Sequence, residues 1–238
     1  LTGASQSVTV SAPALTLPSS PLVGSGLQTP SSGSLGATNY GTTTVRVESS
    51  NPAVALVAPN ATTAGTAFID IPLTAPTGSF TFYVQGVEGQ TGTVTFTASA
   101  PGFTDATTTV TVRAAGQDLV GLPASTTSLS PNTAFTVRIG VLNAAGTGLS
   151  GTQPIRAGGT PLTVTVTNSQ ATVAQLVTSA LTGQSVTATI GVGQSQTPGT
   201  VATGGMAFDP LSSGTTTVTS SIPGVVALPG ATRTVIVN

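Results

Sequence analysis

The sequence contains no cysteine, histidine, lysine or tryptophan, and these absences exclude several kinds of functional site. Without cysteine, disulfides, zinc–thiolate centres and thiol nucleophiles are excluded. Without histidine or lysine, an enzyme lacks the side chains that usually transfer protons or form covalent intermediates near neutral pH. The six carboxylates are scattered, and none forms an Asp-x-Asp or Glu-x-x-Glu pair. We therefore expect no enzyme activity, no cofactor and no metal.

Charge is also scarce, because charged residues make up 5% of the 238 residues and the net charge is −1. All five basic residues are arginines, and they form no basic stripe of the kind that binds nucleic acid. No apolar run approaches the roughly 18 residues that a membrane span needs. The sequence thus predicts neither a nucleic-acid partner nor a membrane span, and its low charge argues against disorder.

What the sequence does contain is a recurring stretch in which apolar and polar residues alternate. Alternation with period two indicates a strand with one buried face, and recurrence at long intervals indicates the closing strand of a repeated module. One copy spans residues 106–112 and another spans residues 231–237. A third copy opens the chain and consists of Ala4, Ser5, Gln6, Ser7, Val8, Thr9 and Val10.

Two further stretches repeat and divide the chain into modules. Residues 163–174 align with residues 44–55, and residues 214–224 align with residues 92–102. Short strands separated by Gly, Pro and Asn turns predict β-sandwiches. We therefore predict an all-β chain with an extra N-terminal strand in residues 1–12 and two sandwich domains, residues 13–113 and 114–238. The predicted core includes Phe80, Phe82, Val94, Phe96, Phe135, Val137, Ile139, Val164 and Val166.

Two Gly-rich regions show little alternation. Residues 22–41 give no clear strand ends, and residues 143–159 predict a long loop in the second domain. Long loops at the ends of sandwiches often carry function. If residues 143–159 pack on a neighbouring domain, a structural role is favoured; if the loop binds a ligand, an adhesin is favoured.

Two short patterns are distinctive: the Val-x-Val-x-Ser-Ser-Asn-Pro-x-Val-Ala pattern of residues 45–55, and the strand pattern of residues 92–98 and 214–220. Both resemble the bacterial immunoglobulin-like (Ig-like) repeat domains of cell-surface and extracellular proteins. The tryptophan usual in such repeats is absent, and Val45 and Val164 occupy that region. The resemblance implies two tandem Ig-like β-sandwich domains at the bacterial cell surface, where such repeats mostly act as spacers.

The leading hypothesis is therefore a non-catalytic structural protein that builds a stalk or an extracellular filament. Each domain already has a closing strand, so the strand over Ala4 to Val10 is one too many, and an isolated strand is not stable in water. Adding this strand to another subunit would build a homopolymer, and adding it to a preceding Ig-like repeat would extend a stalk. The alternative is an adhesin module that binds a glycan or a host ligand through its loops.

Two minor site candidates remain. Asn60-Ala61-Thr62 fits an N-glycosylation acceptor, although the same three residues also suit a polar turn. Asp105 and Asp118 lie near the predicted domain boundary, where calcium would rigidify a stalk. The alternative for both aspartates is a solvated turn carboxylate. No signal peptide is recognisable, so the chain is either a mature protein or a segment of a longer one.

Overall fold

The computed structural model describes residues 11–238, and these residues form an all-β protein. The strands of the N-terminal half (residues 11–113) are β1 Leu15–Thr16, β2 Leu22–Gly24, β3 Gln28–Leu35, β4 Thr42–Ser49, β5 Ala55–Ala58, β6 Phe68–Thr74, β7 Ser79–Gly86, β8 Gly92–Ser99 and β9 Ala106–Arg113. The strands of the C-terminal half (residues 114–238) are β10 Ala115–Val120, β11 Ser125–Thr126, β12 Thr133–Leu142, β13 Leu149–Thr152, β14 Leu162–Asn168, β15 Ala174–Val177, β16 Thr182–Gly183, β17 Ser185–Ile190, β18 Met206–Pro210, β19 Gly214–Ser221, β20 Val226–Ala227 and β21 Thr232–Val237. Helix within residues 11–238 is limited to two 3-10 turns, Val201–Thr203 and Pro229–Ala231.

The two halves share one strand order. In the N-terminal half, a four-stranded sheet runs β1-β3-β7-β5 and a five-stranded sheet runs β2-β9-β8-β4-β6. In the C-terminal half, the corresponding orders are β10-β12-β18-β15 and β11-β21-β19-β14-β17. Strands β13, β16 and β20 extend the first of these two sheets. The stretches that repeat in the sequence therefore lie on equivalent strands, for example β8 and β19.

In each half, the first two strands belong to different sheets, and the chain crosses from one sheet to the other between them. Strand β1 pairs with β3 in an antiparallel way, whereas β2 pairs in parallel with β9 of the opposite sheet. Pro18 and Pro21 lie between β1 and β2. Proline has no amide hydrogen to donate, so it interrupts the first ladder where the chain crosses. The C-terminal half repeats the crossing at Pro123, with β10 antiparallel to β12 and β11 parallel to β21.

Period-two alternation places the apolar side chains inside. In β4, Val45 and Val47 are fully buried whereas Arg46 and Glu48 are exposed, as expected for a half-buried strand. All nine residues predicted to lie in the core are buried, with no more than 3% of any of them exposed. The buried residues form two separate clusters, one for each half. The prediction of an all-β, sandwich-type fold is thus confirmed, while the domain boundaries stay a prediction.

The structure corrects one detail of the sequence interpretation and leaves one prediction outside its range. Residues 149–152, predicted as part of a loop, form strand β13 beside β12. Its sequence Leu-Ser-Gly-Thr has one apolar residue and therefore shows no alternation. The predicted strand over Ala4, Ser5, Gln6, Ser7, Val8, Thr9 and Val10 lies outside the described residues.

Candidate functional site at the joint between the two halves

The two halves are connected by a single residue outside regular structure. Strand β9 ends at Arg113 and β10 begins at Ala115, so only Ala114 separates the strands. The Leu142 amide donates a hydrogen bond of 3.2 Å to the Ala114 carbonyl. The Arg113 guanidinium of the N-terminal half also reaches the Leu142 carbonyl over 3.4 Å. The connection is therefore short and is itself hydrogen-bonded to β12.

The joint segment, residues 153–159, follows β13 and contacts both halves: Ile155 exchanges backbone hydrogen bonds with Gln194 and Gly193 of the C-terminal half and forms an isolated bridge with the N-terminal half. The backbone amide of Gln28 donates to the Pro154 carbonyl over 3.0 Å, and the backbone amide of Arg156 donates to the Gly26 carbonyl over 3.0 Å. Leu27 and Ile155 face each other across this bridge and are 1% and 2% exposed. Leu27 belongs to the N-terminal half but packs in the core of the C-terminal half. The core of the C-terminal half therefore includes Leu27 of the N-terminal half.

Gln153 attaches the joint segment to β2 through its side-chain amide. Its Nε2 donates to the Leu22 carbonyl over 2.9 Å, and its Oε1 accepts from the Gly24 amide over 2.8 Å. The residue is only 8% exposed. Both ends of the amide thus bind the backbone of a strand about 130 positions away in the sequence, as burial of a polar group requires.

Gln28 and Gln85 form a buried amide pair beneath the joint segment, and 1% and 0% of these residues are exposed. The Gln28 Oε1 accepts from the Gln85 Nε2 and from the Ala157 amide, each over 3.0 Å. The remaining hydrogen bonds of the pair bind the backbone of residues 61–65. Gln28 Nε2 donates to Ala61 O (2.8 Å), Gln85 Nε2 donates to Thr63 O (3.0 Å), and Gln85 Oε1 accepts from Gly65 N (2.8 Å). Every polar atom of the pair has a partner, so the network is fully satisfied.

An ion pair closes the outer side of the joint. Arg156 donates to both carboxylate oxygens of Glu88 over 2.9 and 2.6 Å, and 13% of its side chain is exposed. Small residues allow the close approach of the two halves here. A Cβ atom added to Gly158, whose φ is +77°, would lie 2.7 Å from the Ala64 Cβ. Charge pairing and close backbone packing therefore act together at this edge.

The other two-oxygen arginine–carboxylate pairs lie within the halves. Arg46 donates to Asp70 over 2.8 Å twice, and Arg138 donates to Asp118 over 2.7 and 2.9 Å. The hydrogen bonds with Arg46 lower the pKa of the Asp70 carboxyl, and those with Asp118 raise the pKa of Arg138. Three of the six carboxylates are thus tied to arginines.

The structure places the minor sequence candidates apart from the joint network. Asp118 is held by Arg138, while Asp105 borders a cleft of about 520 Å³ that Arg46 and Asp70 also line. Across residues 11–238, no group of three carboxylates that would suit a metal is brought together. The Asn60 Oδ1 accepts from the Thr62 amide at 3.0 Å in an exposed turn, and glycosylation of Asn60 stays a prediction.

Sequence reasoning selected the loop of residues 143–159 but missed the residues that hold it. Gln28, Gln85 and Gln153 stand singly in the sequence, and a lone glutamine is usually exposed. The sequence of β7 gave no signal, because Gln85 occupies the outward phase of a strand whose inward phase holds Phe80, Phe82 and Val84. Only the structure shows that Gln85 is buried against a further part of the chain.

Comparisons with known proteins give no family assignment. No protein-family model matches the chain, and no curated protein matches it. Among solved structures, red sea bream transglutaminase is similar over 97% of this chain and 32% of its own, with 12% identity and a TM-score of 0.28. Escherichia coli alpha-2-macroglobulin is similar over 95% of this chain and 22% of its own, with 14% identity and a TM-score of 0.33. The ectodomain of the teleost fish polymeric Ig receptor is similar over 94% of this chain and 98% of its own, with 11% identity and a TM-score of 0.33.

The chain spans about a third of the transglutaminase and less of the macroglobulin. TM-scores this low carry no argument about function. Within residues 11–238, no helix combines the length and the apolar character needed to cross a membrane. The candidate functional site of the chain is therefore taken from its own structure and is the joint between the two halves.

Proposed function

We propose that this chain is a non-catalytic structural protein of the bacterial cell surface, in which two Ig-like halves form a rigid spacer of a stalk or extracellular filament. The observation that carries the proposal is the joint segment. Residues 153–159 bind the N-terminal half through backbone bonds, buried amides and an ion pair, while Ile155 stays hydrogen-bonded to the C-terminal half. A spacer needs such a fixed angle between its units.

A hinge would have a different structure. Linkers that allow domain motion are exposed and rich in Pro, Gly or polar residues, and few contacts cross them. Here one residue connects the halves, and opening the joint would break both side-chain hydrogen bonds of Gln153 and the bond from the Ala157 amide to Gln28. Each of these hydrogen bonds contributes about 0.5–1.5 kcal/mol net. The joint therefore favours a single orientation of the two halves relative to each other.

The composition supports a non-catalytic role at the cell surface. The sequence holds no histidine, cysteine or lysine, and three carboxylates are engaged by arginines. The resemblance of residues 45–55 and 92–98 to bacterial Ig-like repeats supports an extracellular setting. Turnover in a broad screen of hydrolase substrates would contradict the non-catalytic part of the proposal.

The adhesin alternative has less support. Its candidate for ligand recognition is the loop of residues 143–159, and residues 153–159 are engaged with the N-terminal half. Of the remainder, residues 149–152 form β13, and residues 144–148 form a short turn in which the Thr147 amide donates to the Asn143 Oδ1 over 3.0 Å. Only this turn is left free to bind a ligand.

The rigidity of the joint is tested by distance measurements between two spin labels. Because the chain has no cysteine, Thr95→Cys in β8 and Thr187→Cys in β17, both at exposed positions, give two unique labelling sites. We expect a narrow distance distribution by pulsed electron paramagnetic resonance. Adding Gln153→Ala and Arg156→Ala removes the side-chain hydrogen bonds and the ion pair of the joint segment, so the distribution should broaden.

The matched control removes comparable contacts away from the joint. Arg46→Ala breaks an ion pair within the N-terminal half, and Gln175→Ala removes a 2.7 Å hydrogen bond to Asp209 within the C-terminal half. The doubly labelled protein with these two substitutions should keep the narrow distribution. A broad distribution in the unsubstituted labelled protein would contradict the spacer proposal directly.

A further inference from the structure

The equivalence of the two halves extends to the loops at one end. The loop after β2 and the loop after β11 are each closed by two equivalent backbone hydrogen bonds. In the N-terminal half, Ser25 N donates to Arg113 O (2.7 Å) and Leu27 N donates to Gly24 O (2.9 Å). In the C-terminal half, Ser128 N donates to Asn238 O (3.0 Å) and Ser130 N donates to Thr127 O (3.0 Å). Leu129 in the second loop therefore corresponds to Gly26 in the first.

Two neighbouring loops follow the same correspondence. The loop after β7 begins with a 3.0 Å bond from the Val87 amide to the Val54 carbonyl, and the loop after β18 begins with a 2.8 Å bond from the Leu211 amide to the Val173 carbonyl. Leu211 thus corresponds to Val87, and the next residue, Ser212, corresponds to Glu88.

The third loop is fixed by ladder pairs. Val57 pairs with Thr66, and the equivalent Leu176 pairs with Gly183. Counting back two residues from Thr66 and from Gly183 makes Leu181 the counterpart of Ala64.

These loops are covered in one half and open in the other. In the N-terminal half, the joint segment binds the Gly26 carbonyl, lies close to Ala64 and pairs with Glu88. In the C-terminal half, the corresponding loops expose three leucines: Leu129 (94%), Leu181 (54%) and Leu211 (44%). We name these three leucines the tail surface. An exposed group of large apolar residues indicates an interaction site.

The chain itself contains a surface that fits this position. The joint segment lies between β12 and β14, and the equivalent connection in the N-terminal half is residues 36–41, between β3 and β4. Residues 36–41 adjoin the turn of residues 100–105, because the Tyr40 and Phe103 rings meet edge to face at 5.9 Å between centroids. We name these two stretches the head surface.

The scarcity of charge on both surfaces favours the head surface as the occupant. At the internal joint, Glu88 of one half meets Arg156 of the other. On the tail surface, uncharged Ser212 replaces Glu88, and the loops of residues 127–132, 178–182 and 211–213 contain no charged residue. The head surface has no arginine, and its one charged residue is Asp105. The tail surface thus calls for no charged partner, and Asp105 is the one charge that the head surface brings to the contact.

We infer that the tail surface of one copy binds the head surface of a second copy, in the arrangement that the internal joint already uses. The contact is heterologous, so repeating it builds a linear head-to-tail polymer. This inference rests on the proposed structural function and names the partner. Leucines on an uncharged background match the composition of buried interface cores, from which charged residues are depleted.

Sedimentation velocity of the full chain over a range of concentrations tests the contact. We expect species larger than the monomer to appear as concentration rises. Leu129→Asn, Leu181→Asn and Leu211→Asn together should weaken this association about ten-fold or more, because the contact would lose the burial of three large apolar side chains. The control is Val226→Asn, which changes a 42% exposed apolar residue in β20, next to the internal joint, and should leave association unchanged.

A mixing experiment separates head-to-tail binding from pairing of two tail surfaces. Thr38→Arg and Asn39→Arg place positive charge at exposed positions of the head surface. We expect this variant and the tail variant each to remain monomeric alone and to form dimers when mixed. Dimers of the head variant alone, or an unsubstituted chain that stays monomeric at every concentration, would overturn the inference. Either result leaves the spin-label test of the internal joint standing.

Discussion

At the scale of single residues, three glutamines hold the joint where apolar side chains would be expected. Gln28, Gln85 and Gln153 are each at most 8% exposed; all three side-chain amides bind backbone atoms, and those of Gln28 and Gln85 also bind each other. A satisfied hydrogen bond contributes about 0.5–1.5 kcal/mol net, whereas an unsatisfied buried group costs about 1–3 kcal/mol. The network thus selects one docked geometry more than it adds stability, because any misalignment leaves several groups unpaired.

Phe82 provides the clearest test of core packing at this scale. It is 1% exposed and lies beside Phe80, with ring centroids 6.2 Å apart. Phe82→Ala should lower the free energy of unfolding by roughly 3–5 kcal/mol, since it removes a large buried side chain. Urea denaturation measures this loss. The matched control is Phe68→Ala, at a position 44% exposed, which should cost no more than about 1 kcal/mol. A similar loss in both variants would contradict the assigned burial.

At the scale of secondary structure, predictability from the sequence followed the strength of alternation. Strands β4 and β12 alternate regularly and were placed correctly. Strand β3, with the sequence Gln-Thr-Pro-Ser-Ser-Gly-Ser-Leu, has almost no apolar residues and gave no prediction; it forms because seven of its residues pair with β7. Neighbouring strands, rather than its own sequence, define it.

The joint segment, too, could be predicted only as far as its local sequence pattern allowed. The length and glycine content of residues 143–159 marked a loop that was a candidate for packing on a neighbour. Its partners were not predictable, because Gln153 binds β2 across about 130 residues of sequence. Burial of a polar side chain depends on groups that only the fold brings together.

The pairing of β4 with edge strand β6 gives a prediction about acid stability. The pKa of Asp70 is lowered by its hydrogen bonds with Arg46. A group whose folded pKa is depressed stabilises the protein above its unfolded pKa, about 3.9 for aspartate, and that contribution is lost as pH falls through the folded pKa. Thermal unfolding of Asp70→Asn and of the unsubstituted chain should therefore differ at neutral pH, begin to converge below pH about 4 and coincide once the pH is below the lowered pKa of Asp70. A difference that persists unchanged into acid would contradict the ion-pair origin.

At the scale of the whole molecule, the two halves share a core residue. Leu27 belongs to the N-terminal half by sequence and to the core of the C-terminal half by packing. Leu27→Ala should cost about 2–5 kcal/mol, as other buried leucine truncations do. Because the cavity opens in the second core, hydrogen exchange should accelerate at the amides of β12 and β14.

The control for this prediction is Leu35→Ala, which truncates a leucine that is 7% exposed and packs in the core of the N-terminal half. It should accelerate exchange in β7 and leave β12 and β14 protected. If Leu27→Ala changes exchange only within the N-terminal half, the shared core is refuted.

The crossing of the first strand in each half has a mechanical consequence. Strand β2 runs parallel to β9, and β11 runs parallel to β21. In each pair, one strand lies near the start of its half and the other at the end. Tension along the chain therefore pulls the paired strands in opposite directions along their length. The hydrogen bonds between them bear the load together in shear instead of opening one after another, which is the geometry that suits a tether under force.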